Sequence, residues 1–225
     1  MSGSAVEQSL LIVVSGLPGS GKTTLARAIG TRLRAPVVER DRFAEVCFDA
    51  LGAESPAVAD LGSVSYELLF HVAREFMASG RPLVVESNFS RVRHADQLRA
   101  LLGESGYRPV ELHCRTPGEV LLERYAARAT SGTRHRRHDD VNRVEEFRAV
   151  FADPRRHEDA VVFPDRALVL DTTRDVPIDR VLEYLTAAEP LHGRPERGGS
   201  CEEDRRTPTI WSSPGRARGC GDDGA

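Results

Sequence analysis

The chain has 225 residues, of which 40% are hydrophobic, which is enough for one domain of ordinary size with a single core. Its 31 basic and 34 acidic residues leave a net charge of −3, so the composition does not favour nucleic acid as an obligate partner. The four cysteines have no CxxC spacing, which argues against a zinc site and against a disulfide framework. The apolar run 10–14 is too short for a signal peptide or a membrane span, and we therefore expect a cytoplasmic protein with no membrane partner.

Short apolar runs alternate with longer helical patterns through most of the chain. The predicted strands cover residues 10–15, 36–39, 83–86, 110–113 and 167–170. The predicted helices cover residues 22–33, 42–51, 64–79, 91–102, 117–129, 141–151 and 178–188. This alternation indicates βαβ units, and hence an α/β fold in which helices cover both faces of a parallel sheet.

The composition changes near residue 190, where Gly, Pro, Arg, Ser and Asp replace the apolar periodicity. Segments of this kind cannot bury enough apolar surface to fold. We therefore predict a flexible N-terminus at 1–9, one domain at 10–189 and a disordered tail at 190–225.

A glycine-rich segment, GLPGSGKT, lies at residues 16–23 between the first predicted strand and the first predicted helix. It fits the phosphate-loop pattern G-x-x-x-x-G-K-[ST]. Glycines allow a tight turn in which backbone N–H groups converge on one centre, at a helix N-terminus that favours an anion. We expect Lys22 to reach the β- and γ-phosphates of ATP and the Thr23 hydroxyl to ligate Mg²⁺. The predicted nucleotide-binding residues of this segment are Gly16, Pro18, Gly19, Ser20, Gly21, Lys22, Thr23 and Thr24.

The basic residues of this chain are almost all arginine. Lys22 is the only lysine, although the chain has 31 basic residues. Because the composition avoids lysine elsewhere, a solvated surface charge does not explain a lysine at this position, and a catalytic role is favoured.

Two acidic residues lie at the ends of predicted strands. Asp41 comes just after the second strand, at the edge where open α/β sheets bind ligands, and we expect it to act as the catalytic base toward an acceptor hydroxyl. Glu86 ends the third strand at a place that resembles a Walker B position, and is a predicted Mg²⁺ ligand. The alternatives are structural: Asp41 caps the helix that starts at Arg42, and Glu86 caps the helix near Arg91.

An arginine-rich segment, RYAARATSGTRHRRHDD, covers residues 124–140 and is called the lid below. Arginine forks pair with phosphate oxygens in a bidentate manner, so this segment is expected to close over ATP. Arg128 and Arg134 are the catalytic candidates, and Arg124, on the same helix face as Arg128, is a predicted nucleotide ligand. A solvated surface is the alternative. The lid also contains a group that resembles a metal cluster, but its arginines oppose a cation there: His135, His138, Asp139 and Asp140.

Taken together, GLPGSGKTT, ERDRF, VVESN, the lid and LVLDTT resemble the AAA-domain kinase-like P-loop family, which is related to polynucleotide 5′-hydroxyl kinases, gluconate and shikimate kinases, chloramphenicol phosphotransferase and zeta-type toxins. The resemblance covers residues 10–185 and excludes the tail. It implies ATP- and Mg²⁺-dependent transfer of the γ-phosphoryl group to a hydroxyl. It also implies a three-layer P-loop NTPase fold with five parallel strands in the order 2-3-1-4-5. Glu86 departs from many relatives, which have aspartate there.

The turn after the last predicted strand, DTTRD at 171–175, resembles the segment that lines the adenine side of the nucleotide pocket in this kinase group. Thr172 and Arg174 are therefore predicted nucleotide-binding residues, with Asp171 and Thr173 as further candidates. An ordinary strand exit with a helix cap explains the same residues equally well.

Three functions fit these motifs. The first is a kinase for a small-molecule or nucleoside-type acceptor, which is favoured. The second is a polynucleotide 5′-hydroxyl kinase, which needs a local basic channel and is disfavoured by the neutral charge and the lack of interleaved aromatic residues. The third is a regulatory switch that hydrolyses ATP slowly. The channel of the second function would involve Arg40, Arg42, Arg91 and Arg93.

Overall fold

The protein is described by a computed structural model that covers residues 10–103 and 105–187. The predicted flexible N-terminus, the end of the predicted domain and the predicted disordered tail lie outside the described residues. Within the described ranges, no helix combines the length and the apolar composition that crossing a membrane requires.

Five strands form one parallel sheet, and their order confirms the expected topology. The strands are β1 (Leu10–Gly16), β2 (Val37–Glu39), β3 (Leu83–Glu86), β4 (Arg108–Arg115) and β5 (Ala167–Asp171). They are arranged in the order β2-β3-β1-β4-β5, and each pairing is parallel. Because β1 is the central strand, the glycine-rich loop that follows it begins in the middle of the sheet's carboxyl edge, where such sheets bind ligands.

Helices connect the strands and cover the sheet. The α-helices of the described residues are α1 (Lys22–Leu33), α2 (Arg40–Leu51), α3 (Leu61–Met77), α4 (Arg91–Leu102), α5 (Gly118–Thr130), α6 (Val144–Ala152), α7 (Pro154–Asp159) and α8 (Ile178–Ala187). Short 3-10 helices cover Pro56–Asp60, Arg136–His138, Asp140–Arg143 and Pro164–Arg166.

Three predicted helix starts are wrong by two or three residues, and one helix has no signal in the sequence pattern. The helix predicted at 64–79 begins at Leu61, directly after a 3-10 turn. The helix predicted at 42–51 begins at Arg40, because β2 runs into α2 without a loop. The helix predicted at 141–151 begins as a 3-10 turn, and its α-helical part starts at Val144. The six-residue helix α7 is too short to show periodicity, and it starts where Pro154 follows an Asp153 side chain that accepts the Arg155 N–H.

The sheet is buried on both faces, which explains the continuous apolar sequence of its central strand. Leu11 and Val13 pack with α3 and α4 on one face. Ile12 and Val14 pack with α1 and α8 on the other face. All four side chains are fully buried, and each such burial contributes about 1.5–3 kcal/mol. Burial on both faces is typical of strands in parallel sheets. This packing also fixes the position of the carboxyl end of β1, where the glycine-rich loop begins.

A polar cluster is buried between β1 and β4. The Ser15 hydroxyl donates a hydrogen bond to Glu111 and lies 2.9 Å from Nδ1 of His113. The Glu111 carboxylate also accepts the backbone N–H groups of Val162 and Phe163. Glu111 and His113 are 0% and 4% exposed, so the cluster is closed to substrates. It holds the segment before β5 against the sheet.

Burial affects both titratable groups of this cluster. It raises the pKa of Glu111, and the hydrogen bonds from Ser15, Val162 and Phe163 lower it in part. Burial, with the charge of Arg115, lowers the pKa of His113 to about 4. The imidazole is therefore neutral in the folded protein at neutral pH.

We predict that His113 makes the folded protein less stable in mild acid. Its pKa of about 4 lies below the value of the unfolded chain, so between pH 6.5 and pH 4 the unfolded chain binds a proton that the folded protein does not. On lowering the pH from 7 to 4, this group should reduce the free energy of unfolding by on the order of 3 kcal/mol. Urea denaturation at both pH values measures it.

The comparison variant for this prediction is His113→Gln, which removes the titrating group and should flatten this part of the pH dependence. The exposed His71 provides the matched control, because His71→Gln removes a histidine that is not buried. An equal acid sensitivity of wild type and His113→Gln would contradict the prediction.

Candidate active site

The glycine-rich segment forms a tight turn with backbone angles that favour glycine. The φ angles of Gly16, Gly19 and Gly21 are 141°, 85° and 86°. A Cβ atom on Gly16 would lie 2.6 Å from the carbonyl oxygen of Cys114, so a larger residue does not fit there. Because α1 begins at Lys22, the free N–H groups of its first turn and its positive dipole end lie at this turn. The backbone is thus arranged to bind an anion.

The Lys22 ammonium is buried at the base of this turn. The residue is 8% exposed, and its Nζ atom lies 3.4 Å from the Leu17 carbonyl oxygen and 3.9 Å from Oε1 of Glu86. Burial lowers the pKa of Lys22, and the charges of Glu86 and Asp41 oppose that effect. This charge is paired only at a distance, so it is available to an incoming anion.

Thr23 and Glu86, both predicted Mg²⁺ ligands, meet at the start of α1. The Thr23 hydroxyl donates a hydrogen bond of 3.2 Å to Oε2 of Glu86. The parallel register pairs Glu86 with Val14 near the end of β1, which brings the carboxylate level with the loop. Burial raises the pKa of Glu86, while Lys22 and Thr23 lower it in part. A hydroxyl and a carboxylate oxygen side by side are suitable ligands for Mg²⁺.

The other loop residues differ in exposure. The Ser20 hydroxyl is buried and has no hydrogen-bond partner among the described residues. Thr24 is exposed, and Pro18 lines the neighbouring cavity. Nucleotide binding by these residues stays a prediction.

The structural alternative for Glu86 is wrong. The N-terminus of α4 has Ser90 as its N-cap residue, and the backbone N–H of Val92 donates to Asp159, at 3.0 Å. Glu86 instead points to the phosphate loop, where it contacts Lys22 and Thr23.

Asp41 lies in the first turn of α2, next to the carboxyl end of β2. Its carboxylate accepts hydrogen bonds from Arg40 and from Arg134 of the lid, each at 2.9 Å. No backbone N–H among the described residues donates to it, so the capping role is wrong as well. Burial would raise the pKa of Asp41, but Arg40, His138, Lys22 and Arg134 together lower it to about 2. Asp41 is therefore ionised and faces cationic groups.

The part of the lid that follows α5 is attached to α2 by a ladder of polar contacts to carboxylates. Asp41, Glu45 and Asp49 are four residues apart and share one face of α2. Asp41 binds Arg134, as above. Glu45 lies 3.0 Å from Nε2 of His138, and Asp49 lies 3.2 Å from Nε2 of His135. The lid is thus packed on a helix that carries the candidate base, and the alternative of a solvated surface is wrong for these residues.

Arg128, at the end of α5, is held by a buried carboxylate. Its Nη2 atom lies 2.9 Å from Oδ2 of Asp140, and Asp140 is 6% exposed. The Tyr125 hydroxyl donates to the other oxygen of Asp140 at 2.8 Å, and Nε of Arg134 lies 3.6 Å from Asp140. The acidic residue that sequence reasoning weighed only as a metal ligand therefore positions two lid arginines.

Arg124 connects the lid with the turn after β5. Its guanidinium donates hydrogen bonds to the carbonyl oxygens of Thr172 and Thr173, at 2.9 and 3.0 Å. The Thr172 hydroxyl lies 2.8 Å from that of Thr116 and is buried. Arg174 is exposed. The structure thus brings Arg124 and Thr172 together, while the predicted contact of this turn with a nucleotide stays a prediction.

A cavity of about 110 Å³ lies between the phosphate loop, α2 and the lid, and is called the site cavity below. Pro18 of the loop lines one side of it, and Asn88, just after β3, lines another. The charged residues that line it are Arg40, Arg128, Arg134, Arg137, Arg143, His138, Asp41 and Asp140. One residue of the phosphate loop and the candidate base therefore line one partly open, mainly cationic space.

Sequence reasoning missed several residues that line this cavity or hold the lid beside it. Arg143 follows the segment that was predicted to be the lid. Glu45 is an internal residue of α2 with no motif around it. Arg40 was weighed only as part of a nucleic-acid channel. A signal for Glu45 exists in the four-residue spacing of acids along α2, opposite a segment rich in arginine and histidine. No comparable signal marks Arg143.

Comparison with known families gives one match over most of the described domain. The family model described as AAA domain matches residues 11–154. The match includes the phosphate loop, Asp41, Glu86 and the whole lid, and it ends before β5.

Uncharacterized proteins of Mycobacterium tuberculosis and Mycobacterium bovis are each 29% identical to this chain over 129 residues, which is 53% of this chain and 26% of the relative. The chain thus spans about a quarter of the length of these relatives. A crystal structure described as that of a candidate kinase from Chloroflexus aurantiacus is 29% identical, with a TM-score of 0.67. The alignment covers 79% of this chain and 97% of that one.

We predict that Glu45→Gln loosens the lid. The Glu45 carboxylate contacts His138 at 3.0 Å, Arg42 at 2.9 Å and Arg134 at 4.0 Å, and is the middle step of the ladder. The amide keeps the size of the side chain and removes its charge. Hydrogen exchange of the backbone N–H groups of residues 137–139 should accelerate by roughly five- to tenfold, as expected for losing about 1 kcal/mol of local stability.

The matched control for the lid is Glu146→Gln, which removes an exposed carboxylate of α6 that binds Arg143. It should leave exchange in residues 137–139 unchanged. Equal exchange in wild type and Glu45→Gln would show that the ladder does not hold the lid.

Proposed function

Because the chain belongs to the AAA-domain kinase-like P-loop NTPases, we propose that it transfers the γ-phosphoryl group of Mg-ATP to a hydroxyl of a small-molecule or nucleoside-type acceptor. One observation carries this proposal: Pro18 of the phosphate loop and Asp41 line the same cavity, and the charges of Lys22 and Asp41 each shift the pKa of the other. A nucleotide-binding protein without an acceptor needs no carboxylate there. The likeness to the Chloroflexus candidate kinase supports the same activity.

The nucleotide phosphates and Mg²⁺ have suitable binding groups in this chain. The turn at Gly16–Gly21 offers backbone N–H groups, and Lys22 offers the buried charge. Thr23 and Glu86 would hold Mg²⁺, directly or through water. When bound, the metal ion neutralises charge on the β- and γ-phosphates.

In the proposed reaction, the oxygen of the acceptor hydroxyl forms a bond to the γ-phosphorus. The bond from that phosphorus to the β–γ bridging oxygen breaks, which gives ADP and the phosphorylated acceptor. The proton of the hydroxyl passes to Asp41, which we propose as the base and as the group that orients the hydroxyl. Transfer of this kind depends mainly on positioning and on stabilisation of charge.

The lid arginines are suited to the stabilisation of charge. Arg128 and Arg134 line the site cavity with their guanidinium groups fixed by Asp140 and Asp41. A guanidinium fork pairs well with phosphoryl oxygens, and an enclosed site strengthens the attraction. We propose that both arginines stabilise the charge that develops on the transferred group.

We predict that Lys22→Met abolishes the gain in thermal stability that Mg-ATP gives. Methionine replaces the buried stem but removes the charge that the phosphates need, and the affinity for ATP should fall at least tenfold. Calorimetry and thermal denaturation with and without Mg-ATP measure both effects. Arg27→Met is the control, because it removes a cation of the same helix that is largely exposed and bound to Glu39. Unchanged ATP affinity in Lys22→Met would refute the assignment of the phosphate site.

We predict that Asp41→Asn lowers phosphoryl transfer by roughly 10²- to 10⁴-fold while ATP still binds. The amide retains the shape of the side chain but cannot accept the proton. Transfer is measured with γ-labelled ATP and a panel of hydroxyl compounds that includes an oligonucleotide with a free 5′-hydroxyl. Asp49→Asn, two turns away on the same face of α2, is the control and should retain transfer.

The same measurement separates the alternatives. Labelling of the oligonucleotide alone would favour a polynucleotide kinase. A third result would favour a regulatory switch and refute the kinase proposal. In that case the protein hydrolyses ATP slowly, Asp41→Asn leaves the hydrolysis unchanged, and no compound is phosphorylated.

A further inference from the structure

The arginines of the site cavity differ in whether a carboxylate neutralises them. Arg40 and Arg134 bind Asp41, and Arg128 binds Asp140. Arg143 binds Glu146, outside the cavity. Among residues 10–103 and 105–187, no carboxylate lies within 4.0 Å of the Arg137 guanidinium, and no hydrogen bond from its side chain forms.

Arg137 is held in this position at a cost. Its Nε atom is buried and lacks a hydrogen-bond partner in the part of the chain that the structure describes. Burial and the neighbouring charges of Arg40 and Arg143 lower the pKa of Arg137, which means that the surroundings disfavour its charge. A guanidinium has no accessible neutral form in a protein. The charge, which no carboxylate of the described residues pairs, is therefore available to an anion from outside the chain.

The position of Arg137 distinguishes the acceptor side of the cavity from the nucleotide side. Arg137 lines the site cavity together with Arg40, Asp41 and Asn88, whereas Lys22, Thr23 and Glu86 do not line it. Arg40 in turn donates to Ser65 of α3 at 3.0 Å and lies over the Tyr66 ring, at 4.9 Å from its centroid. Arg137 thus shares the cavity with Asp41 and with an arginine that contacts α3, and not with Lys22, Thr23 or Glu86.

A hydrogen-bond acceptor without a partner in this cavity points to the rest of the ligand. The side-chain oxygen of Asn88 is buried and has no partner among the described residues. An amide oxygen accepts hydrogen bonds only, so it suits a hydroxyl. The volume of the cavity, about 110 Å³, favours a small molecule as the ligand.

We propose that the acceptor is a small hydroxyl compound that carries an anionic group, a carboxylate or a phosphate monoester, and that Arg137, next to Arg40, binds this group. One hydroxyl faces Asp41 as the nucleophile, and another donates to the side-chain oxygen of Asn88. This inference rests on the proposed function, because it names the class of compound that the same site accepts. The shared chemistry is an anion within reach of a planar guanidinium fork.

The test uses matched pairs of compounds that differ only in the anionic group: aldonic acids with the corresponding alditols, and sugar monophosphates with the free sugars. Binding is measured by calorimetry on the full chain saturated with Mg²⁺ and a non-hydrolysable ATP analogue. Transfer is measured separately with γ-labelled ATP. The carboxylate and phosphate pairs distinguish the two sources of the anion.

The expected result is that the anionic member of at least one pair binds at least tenfold more tightly than its uncharged partner. Arg137→Gln should weaken that binding by roughly ten- to hundredfold and raise KM with little change in kcat, because a charged hydrogen bond to the substrate is lost. Arg137→Lys should restore part of the affinity, since the charge returns without the fork.

The matched control is Arg136→Gln in the adjacent position. The Arg136 side chain is 67% exposed, lies 3.6 Å from Asp49 and stacks on Phe48, outside the site cavity. It carries the same charge on the same segment, so it should leave acceptor binding unchanged. A fall equal to that of Arg137→Gln would mean that only the overall charge of the lid matters, which overturns the inference.

Other outcomes also decide the matter. Equal binding of charged and uncharged partners, no binding of any anionic member, or preferred use of a 5′-hydroxyl oligonucleotide would overturn the inference. Transfer to uncharged compounds would also overturn the inference about the anionic group, but it would support the proposed kinase reaction. Binding of an anionic compound through Arg137 without any transfer would support the anion site and sink the proposed kinase reaction.

Discussion

The buried ammonium of Lys22 is the constraint on which the site depends. A charge taken out of water is costly unless an opposite charge or hydrogen bonds compensate it. In the protein alone, Glu86 at 3.9 Å is the nearest carboxylate and the Leu17 carbonyl is at 3.4 Å, so the compensation is incomplete. The register of β1 and β3 places Glu86 there, and α1 must start at Lys22. The central strands, the turn and the first helix therefore together fix the position of the Lys22 ammonium.

The sequence predicts the sheet well because its strands are buried on both faces. Continuous apolar runs such as 10–15 and 83–86 have no other explanation at that length between turn signals. The order of the strands could not be predicted from periodicity. It was implied only by the resemblance to a known family. Helix starts failed where no loop separates the elements, as at Arg40, or where a 3-10 turn precedes the helix, as at Asp140.

The candidate site was predictable in its local part and not in its long-range part. The loop, Lys22 and Thr23 belong to one motif with fixed spacing, and Asp41 and Glu86 follow from their places at strand ends. The pairing of Arg134 with Asp41 joins residues 93 positions apart. Nothing in the lid sequence distinguishes Arg134 from Arg136, because only the folded backbone decides which guanidinium faces α2 and which faces solvent.

The low pKa of Asp41, about 2, has a consequence for the proposed reaction. A carboxylate this acidic is a weak base, which would be a handicap if the hydroxyl had to lose its proton early. In a loose transition state the bond to the nucleophile forms late, so the carboxylate must first orient the hydroxyl, and basicity matters less. The groups that keep the pKa low include Arg134, which a γ-phosphoryl group also attracts. Each contact that Arg134 gives up to phosphate leaves Asp41 a stronger base at the stage of the reaction when a proton acceptor is needed.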